Sequence, residues 1–204
     1  MYPQSLTRTP TWRSLPRRWL ICLDLQRDYV VPGRPRYAPG NAAVAEACAR
    51  VLGQARDESW NIVHSQVRAD DTSGRSRELF DAPIEGLRPL ITEPVFFRTG
   101  LSAFANPAFA AELRRARGDA VYLIGFSLAD TCLATALAGV DAGLSLTLLE
   151  EAVGAGDGAD AARIARTILK PFVRIRPSLR LESRRGESRP EHRGRESRGL
   201  EVVS

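Results

Sequence analysis

Residues 121–150, VYLIGFSLADTCLATALAGVDAGLSLTLLE, constrain this chain more than any other stretch. An apolar run at 120–124 leads into a short loop, a small-residue helical segment starting near Cys132, and a second apolar run at 144–150. A strand, a helix and a strand in that order form a parallel pair joined by a crossover, and parallel sheets are stable when helices cover both faces. Cys132 is thereby delivered to the start of a helix. A helix N-terminus offers unpaired N–H groups and a partial positive charge, so it stabilises a thiolate and can receive an oxyanion. The competing reading is a buried cysteine acting as a small hydrophobe.

The same alternation runs through the rest of the sequence. Residues 19–25 (WLICLDL) read as a buried strand ending in an acid, Asp24. A turn region with Pro32, Gly33, Pro35, Pro39 and Gly40 follows, and Asn41 is expected to cap a helix through about residue 57. That helix would carry Val44, Cys48, Val51, Leu52 and Ala55 on one face. A second strand is expected at 60–67, a long polar connection at 70–94, and a short third strand at 95–97 before the turn Arg98-Thr99-Gly100. Helices at about 106–117 and 159–170 complete the pattern. The expectation is an α/β fold of three layers, α/β/α, with a mostly parallel, Rossmann-like sheet and helices on both faces. Ligands in such sheets bind beyond the carboxyl ends of the strands, where Asp24, Arg98 and the Cys132 loop would lie.

Charge divides the chain further. Residues 1–18 carry four arginines and no acid, and residues 174–204 carry nine arginines against five glutamates, so the net +5 belongs to the two ends. The organisation expected is a basic extension at 1–18, one folded domain at 19–173, and an Arg/Glu/Ser-rich tail at 174–204 too polar to build a core. That composition favours a solvated tail over a nucleic-acid arm. Three cysteines without CxxC spacing fit neither a disulfide scaffold nor a structural zinc site, and a reducing cytoplasm is expected. No stretch approaches the roughly 18 apolar residues of a membrane span.

Three segments then converge on a family. Residues 24–29 (DLQRDY) resemble the D-x-Q-x-D-[FY] opening of the isochorismatase-like cysteine hydrolases. Residues 98–104 (RTGLSAF) are similar to their K-x-x-x-S-A-F segment, and residues 125–133 (GFSLADTCL) to their G-x-x-T-[DE]-x-C-V loop. The likeness covers roughly residues 19–170. It implies an Asp–Lys–Cys triad falling on Asp24, Arg98 and Cys132, with Gln26, Tyr29, His64, Phe104, Leu128, Ala129 and Thr131 as candidates for contact with substrate or oxyanion. It also implies a small-molecule substrate and assembly into dimers or tetramers. The chemistry expected is attack of the thiol on an amide carbonyl, with Asp24 as base and later as acid, through a thioester. Backbone N–H groups around residues 129–132 would hold the oxyanion.

Two positions depart from the pattern. Arg98 stands where the family has lysine; it is planar and does not surrender a proton. Gly125 to Cys132 spans seven residues instead of six, in a loop whose donors tolerate little displacement. These departures keep two alternatives open: a non-catalytic member of the fold, and a vinyl-ether hydrolase of isochorismatase type. No metal and no cofactor are expected. The histidines are only His64 and His192, too few for the metal trio of nicotinamidases. The sequence GAGDGA at 154–159 formally matches a dinucleotide fingerprint, but no strand follows to supply the ribose-binding acid.

Overall fold

The computed structural model describes residues 17–68, 82–155 and 158–178. Most of the basic extension, the part of the polar connection at 70–81, Gly156 and Asp157 of the glycine loop, His192 and the tail beyond 178 lie outside the described residues.

Among the described residues six strands form one sheet: β1 Arg18–Leu23, β2 Asn61–Val67, β3 Val95–Arg98, β4 Ala120–Gly125, β5 Ser145–Val153 and β6 Arg174–Arg176. Their order is β3-β2-β1-β4-β5-β6, and every neighbouring pair is parallel. Among the described residues four helices connect them: α1 Asn41–Asp57, α2 Pro107–Leu113, α3 Leu133–Asp141 and α4 Ala159–Leu169. The fold is the expected α/β arrangement. β1 shows why it forms. Trp19, Ile21 and Leu23 pack into one core with Phe109 and Leu113 of α2, Ala136 of α3 and Ala162, Ala165 and Leu169 of α4. Leu20 and Cys22 pack on the opposite face with Ala47, Cys48, Val51, Leu52 and Ala55 of α1. A strand buried on both sides must be apolar throughout, and each large side chain so buried contributes about 1.5–3 kcal/mol.

Several local details differ from the expectation. Gly40 occupies the cap position of α1, and Asn41 is the first helical residue; its Nδ2 donates to the Tyr29 carbonyl at 2.9 Å. The cap residue of this kind is Asn106, whose Oδ1 accepts from the N–H groups of Ala108 (2.8 Å) and Phe109 (3.2 Å) ahead of Pro107. The helix it opens is shorter than expected and tightens into a 3-10 turn at Arg114–Ala116. The sheet also continues past residue 173. β6 adds an edge strand whose sequence, Arg-Ile-Arg, reads as tail by composition while Ile175 still packs toward the core.

The strand order reverses direction between β1 and β4, which sets the ligand-binding crevice of this topology at their carboxyl ends. Gly125 makes the two ends fit. It has φ +122°, and a Cβ there would overlap the Leu23 carbonyl; the next N–H, of Phe126, donates to that carbonyl at 3.0 Å. Gly125→Ala is therefore expected to destabilise the protein by about 3 kcal/mol or more, combining backbone strain with a clash against main chain that cannot swing away. Chemical denaturation reads this directly; a loss below 1 kcal/mol would show that the strands part without cost.

Candidate active site

Asp24 follows β1 and lies in the left-handed region, φ +48°, a conformation that aspartate tolerates better than most residues. Its side chain is fully buried. Each carboxylate oxygen has two partners. Oδ1 accepts from the Val67 N–H at 2.7 Å and from Arg98 Nη1 at 2.8 Å. Oδ2 accepts from Arg98 Nη2 at 2.6 Å and from the Tyr29 hydroxyl at 3.3 Å. Arg98, expected in the turn after β3, is the last residue of that strand, and its side chain is 1% exposed. Burial works against its charge, but the hydrogen bonds and charge of Asp24 outweigh that and raise its pKa above the ordinary arginine value.

Arg98 also joins Asp24 to the loop that carries the cysteine. Its Nη2 donates to Thr131 Oγ1 at 3.0 Å. Thr131 and Cys132 end a π-turn at Leu128–Cys132, in which the Cys132 N–H donates to the Ser127 carbonyl at 2.9 Å. A cis peptide joins Phe126 and Ser127 just before it. Cys132 is fully buried. Burial pushes its thiol well above the usual range; the charges of Asp24 and Asp130 push the same way, and Arg98 opposes them. The resting sulfur is thus a thiol, contrary to the thiolate that a helix N-terminus suggests by itself.

The remaining candidates fall into distinct places. Tyr29 joins the cluster: its hydroxyl reaches Asp24 and accepts from Arg36 Nη1 at 3.3 Å, and its ring stacks on Phe126 at 5.0 Å. Gln26 is buried, and its Nε2 donates to the Val67 carbonyl at 3.1 Å, bracing the segment whose N–H binds Asp24. Leu128 turns its side chain into the core and gives its N–H to the Gly154 carbonyl at 2.7 Å. Ala129 lies in the π-turn, and the Thr131 N–H donates to Asp130 Oδ1. Phe104 packs edge-on against Phe109 in the core, 5.2 Å between centroids. His64 is not brought to the cluster. Its Nε2 faces Glu93 Oε2 at 2.9 Å, and Glu93 is clamped by Arg56 of α1 at 2.8 and 2.9 Å. The hydrogen bonds from Arg56 and His64 outweigh burial and hold the Glu93 carboxyl far below the usual range.

Ser65 is the residue that sequence reasoning passed over. It is fully buried, and its Oγ accepts from Arg98 Nη1 at 3.4 Å. The signal was the polar run His64-Ser65-Gln66 inside a buried strand, where period-2 alternation sends Ser65 to the face opposite His64. Among the described residues no group of three or more His, Cys, Asp or Glu side chains could hold a metal ion, and no helix is long and apolar enough to cross a membrane. Two surface cavities, about 520 and 840 Å³, are lined by neither Asp24, Arg98 nor Cys132.

A doubly wound α/β sheet with a carboxylate, a guanidinium and a cysteine gathered at its switch point defines the class of protein. The family description Isochorismatase domain matches residues 18–175, and the chain belongs to the isochorismatase family of hydrolases. A maleamate amidohydrolase from Pseudomonas putida is 28% identical over 151 residues, 66% of this chain and 71% of that protein. The crystal structure of an isochorismatase family protein from Desulfovibrio vulgaris superposes with a TM-score of 0.71 at 23% identity, covering 81% of this chain and 96% of that one. An isochorismatase from Pseudomonas putida gives a TM-score of 0.63 at 25% identity, covering 82% and 93%.

The thiol pKa values have a pH signature. Burial raises Cys22 and Cys132 well above the ordinary range and Cys48 to about 12. A thiol titrates near 8.5 in the unfolded chain, so above that pH the native state holds more protons than the unfolded one and stability falls as pH rises. The melting temperature is expected to hold up to about pH 8.5 and then decline. Site-resolved alkylation of Cys132 by iodoacetamide should rise about tenfold per pH unit between 7 and 9, as for a thiol far below its midpoint. A plateau in that range would mean a preformed thiolate.

Proposed function

We propose that the protein is a cysteine amidohydrolase that cleaves the C–N bond of a small amide, ureido or carbamoyl compound through a thioester. The observation that carries this reading is Arg98, which binds Asp24 through both carboxylate oxygens and the residue beside Cys132 through Thr131 Oγ1. Similarity to a maleamate amidohydrolase supports the amide bond as target.

In this reading Cys132 is a thiol until substrate arrives. Its sulfur attacks the carbonyl carbon as Asp24 takes the S–H proton, and the carbonyl π electrons move to oxygen. Collapse of the tetrahedral adduct expels the amine, Asp24 returns the proton to the leaving nitrogen, and a thioester remains. Water then adds to the thioester as Asp24 takes a proton from it. Expulsion of the sulfur and return of the proton restore the thiol and release the carboxylic acid. Arg98 keeps its charge throughout and holds the carboxylate in place. The same reading carries a single hydrolase domain between a basic extension and a polar tail, a homo-oligomeric assembly, and a cytoplasmic setting in which Cys22, Cys48 and Cys132 stay free.

A screen of small amides, ureas and carbamoyl compounds for ammonia release tests the proposal. Cys132→Ala should lower kcat by about 10³-fold or more, and Asp24→Asn by about 10²–10⁴-fold, each on a folded protein. Full turnover by Cys132→Ala on a vinyl ether, with no amide cleaved by the wild type, would transfer the assignment to acid-dependent ether hydrolysis.

A further inference from the structure

The guanidinium of Arg98 has five N–H groups, and each has an acceptor in the protein. Nε donates to the Leu101 carbonyl at 3.3 Å. Nη1 donates to Asp24 Oδ1 at 2.8 Å and Ser65 Oγ at 3.4 Å, and Nη2 to Asp24 Oδ2 at 2.6 Å and Thr131 Oγ1 at 3.0 Å. The acceptors come from four places: the end of β1, the middle of β2, the turn after β3 and the π-turn before α3. They surround the plane of the group on every edge that bears a hydrogen.

We infer that Ser65, Thr131 and the Leu101 carbonyl form a cradle specific for a guanidinium, which fixes Arg98 as a two-point clamp on Asp24 and leaves none of its donors for substrate. This rests on the proposed function for its catalytic meaning and extends it in two ways. Ser65 and Thr131 become positioning residues: neither meets the reacting atoms, but both set the rotation of Arg98 and through it the orientation of Asp24 toward Cys132. The substrate carbonyl and any substrate carboxylate must then be received by groups other than Arg98. An ammonium cannot replace the clamp, because its three N–H bonds radiate from one atom and cannot span two carboxylate oxygens, two hydroxyls and a carbonyl at once. Arginine at position 98 is on this account a requirement of the site.

Three measurements on the full-length protein test the inference, with circular dichroism and melting temperature confirming that each variant folds. In ¹⁵N-resolved NMR, a guanidinium held on all edges cannot rotate freely, so the Arg98 Nη protons should appear as separate, slowly exchanging signals. Thr131→Val should collapse them and Thr131→Ser should retain them. Averaged signals in the wild type overturn the cradle. The second readout is alkylation of Cys132 at pH 9. Among the charges around this thiol, Asp24 and Asp130 disfavour the thiolate and Arg98 favours it. Loosening Arg98 by Thr131→Val, Ser65→Ala or Arg98→Lys should therefore slow alkylation about fivefold, an upward shift of roughly 0.7 pH unit, with Thr131→Ser near the wild-type rate. Equal or faster alkylation in Thr131→Val overturns the positioning role. Third, with an amide found in the screen, Thr131→Val and Ser65→Ala should lower kcat about tenfold and leave KM unchanged; a change confined to KM would place Arg98 or its cradle on the substrate. Absence of any amide turnover by the wild type removes the proposed reaction, whereas the first two measurements judge the cradle without it.

Discussion

The site depends on burying a carboxylate and a guanidinium together. Asp24 is fully buried and the Arg98 side chain is 1% exposed. Desolvating two charges costs several kcal/mol each, and the cost is offset only when the pair is close and every remaining donor and acceptor is satisfied. Both conditions hold here: the pair is bidentate, Asp24 receives two further bonds and Arg98 gives three. Removing one partner of such a pair typically costs about 3–5 kcal/mol, whereas exchanging both for apolar groups is often neutral. A pair of this kind is therefore a poor way to gain stability. Its placement at the sheet's switch point, with Asp24 itself in the left-handed region, matches the rule that strain and buried charge collect where a fold does chemistry.

Burial sets the state of the sulfur first, and the surrounding charges add to it. In a buried pocket the thiolate would face the charges of Asp24 and Asp130, and one arginine already engaged with Asp24 does not compensate for both. In the proposed reaction the proton consequently leaves this sulfur as it attacks. Asp24 can accept the proton only by loosening one of its four bonds. The longest of them, 3.3 Å from Tyr29, is also the one donated by a neutral hydroxyl, so it yields first. In the proposed reaction Tyr29 satisfies the carboxylate at rest and releases it when a proton arrives.

How much of this was legible follows from what each residue has to do. β1 and β4 were readable because strands inside a sheet need nearly unbroken apolar runs, whereas β2, β3 and β5 show only short ones, Ile62-Val63, Val95-Phe96-Phe97 and Leu146 to Leu149, beside polar residues. β6 was not, since Arg-Ile-Arg needs only one inward side chain on a sheet edge and the arginines dominate any composition window. Asp24, Arg98 and Cys132 stood out by type and order along the chain, and the fold brings them to one end of the sheet. Ser65 and His64 show the limit. Histidine draws attention because of its chemistry and serine does not, yet alternation along β2 turns Ser65 toward Arg98 and His64 toward Glu93 and α1. Asn41 fails as a cap for a related reason: its side chain serves a distant partner, the Tyr29 carbonyl, which no local window contains.

The seven-residue spacing from Gly125 to Cys132 has a structural counterpart in the π-turn. A π-turn closes over five residues where an α-turn closes over four, so it takes up one extra residue while leaving the strand before it and the helix after it in place. The Cys132 N–H bond to Ser127 is that closure. The accommodation has a consequence for the proposed oxyanion. The N–H groups of Leu128, Thr131 and Cys132 already serve the Gly154 carbonyl, Asp130 and the Ser127 carbonyl. Preorganised donors stabilise an oxyanion because they need not break other bonds at the moment of reaction. Within residues 129–132 the backbone donors left for the proposed oxyanion are those of Ala129 and Asp130, inside the turn.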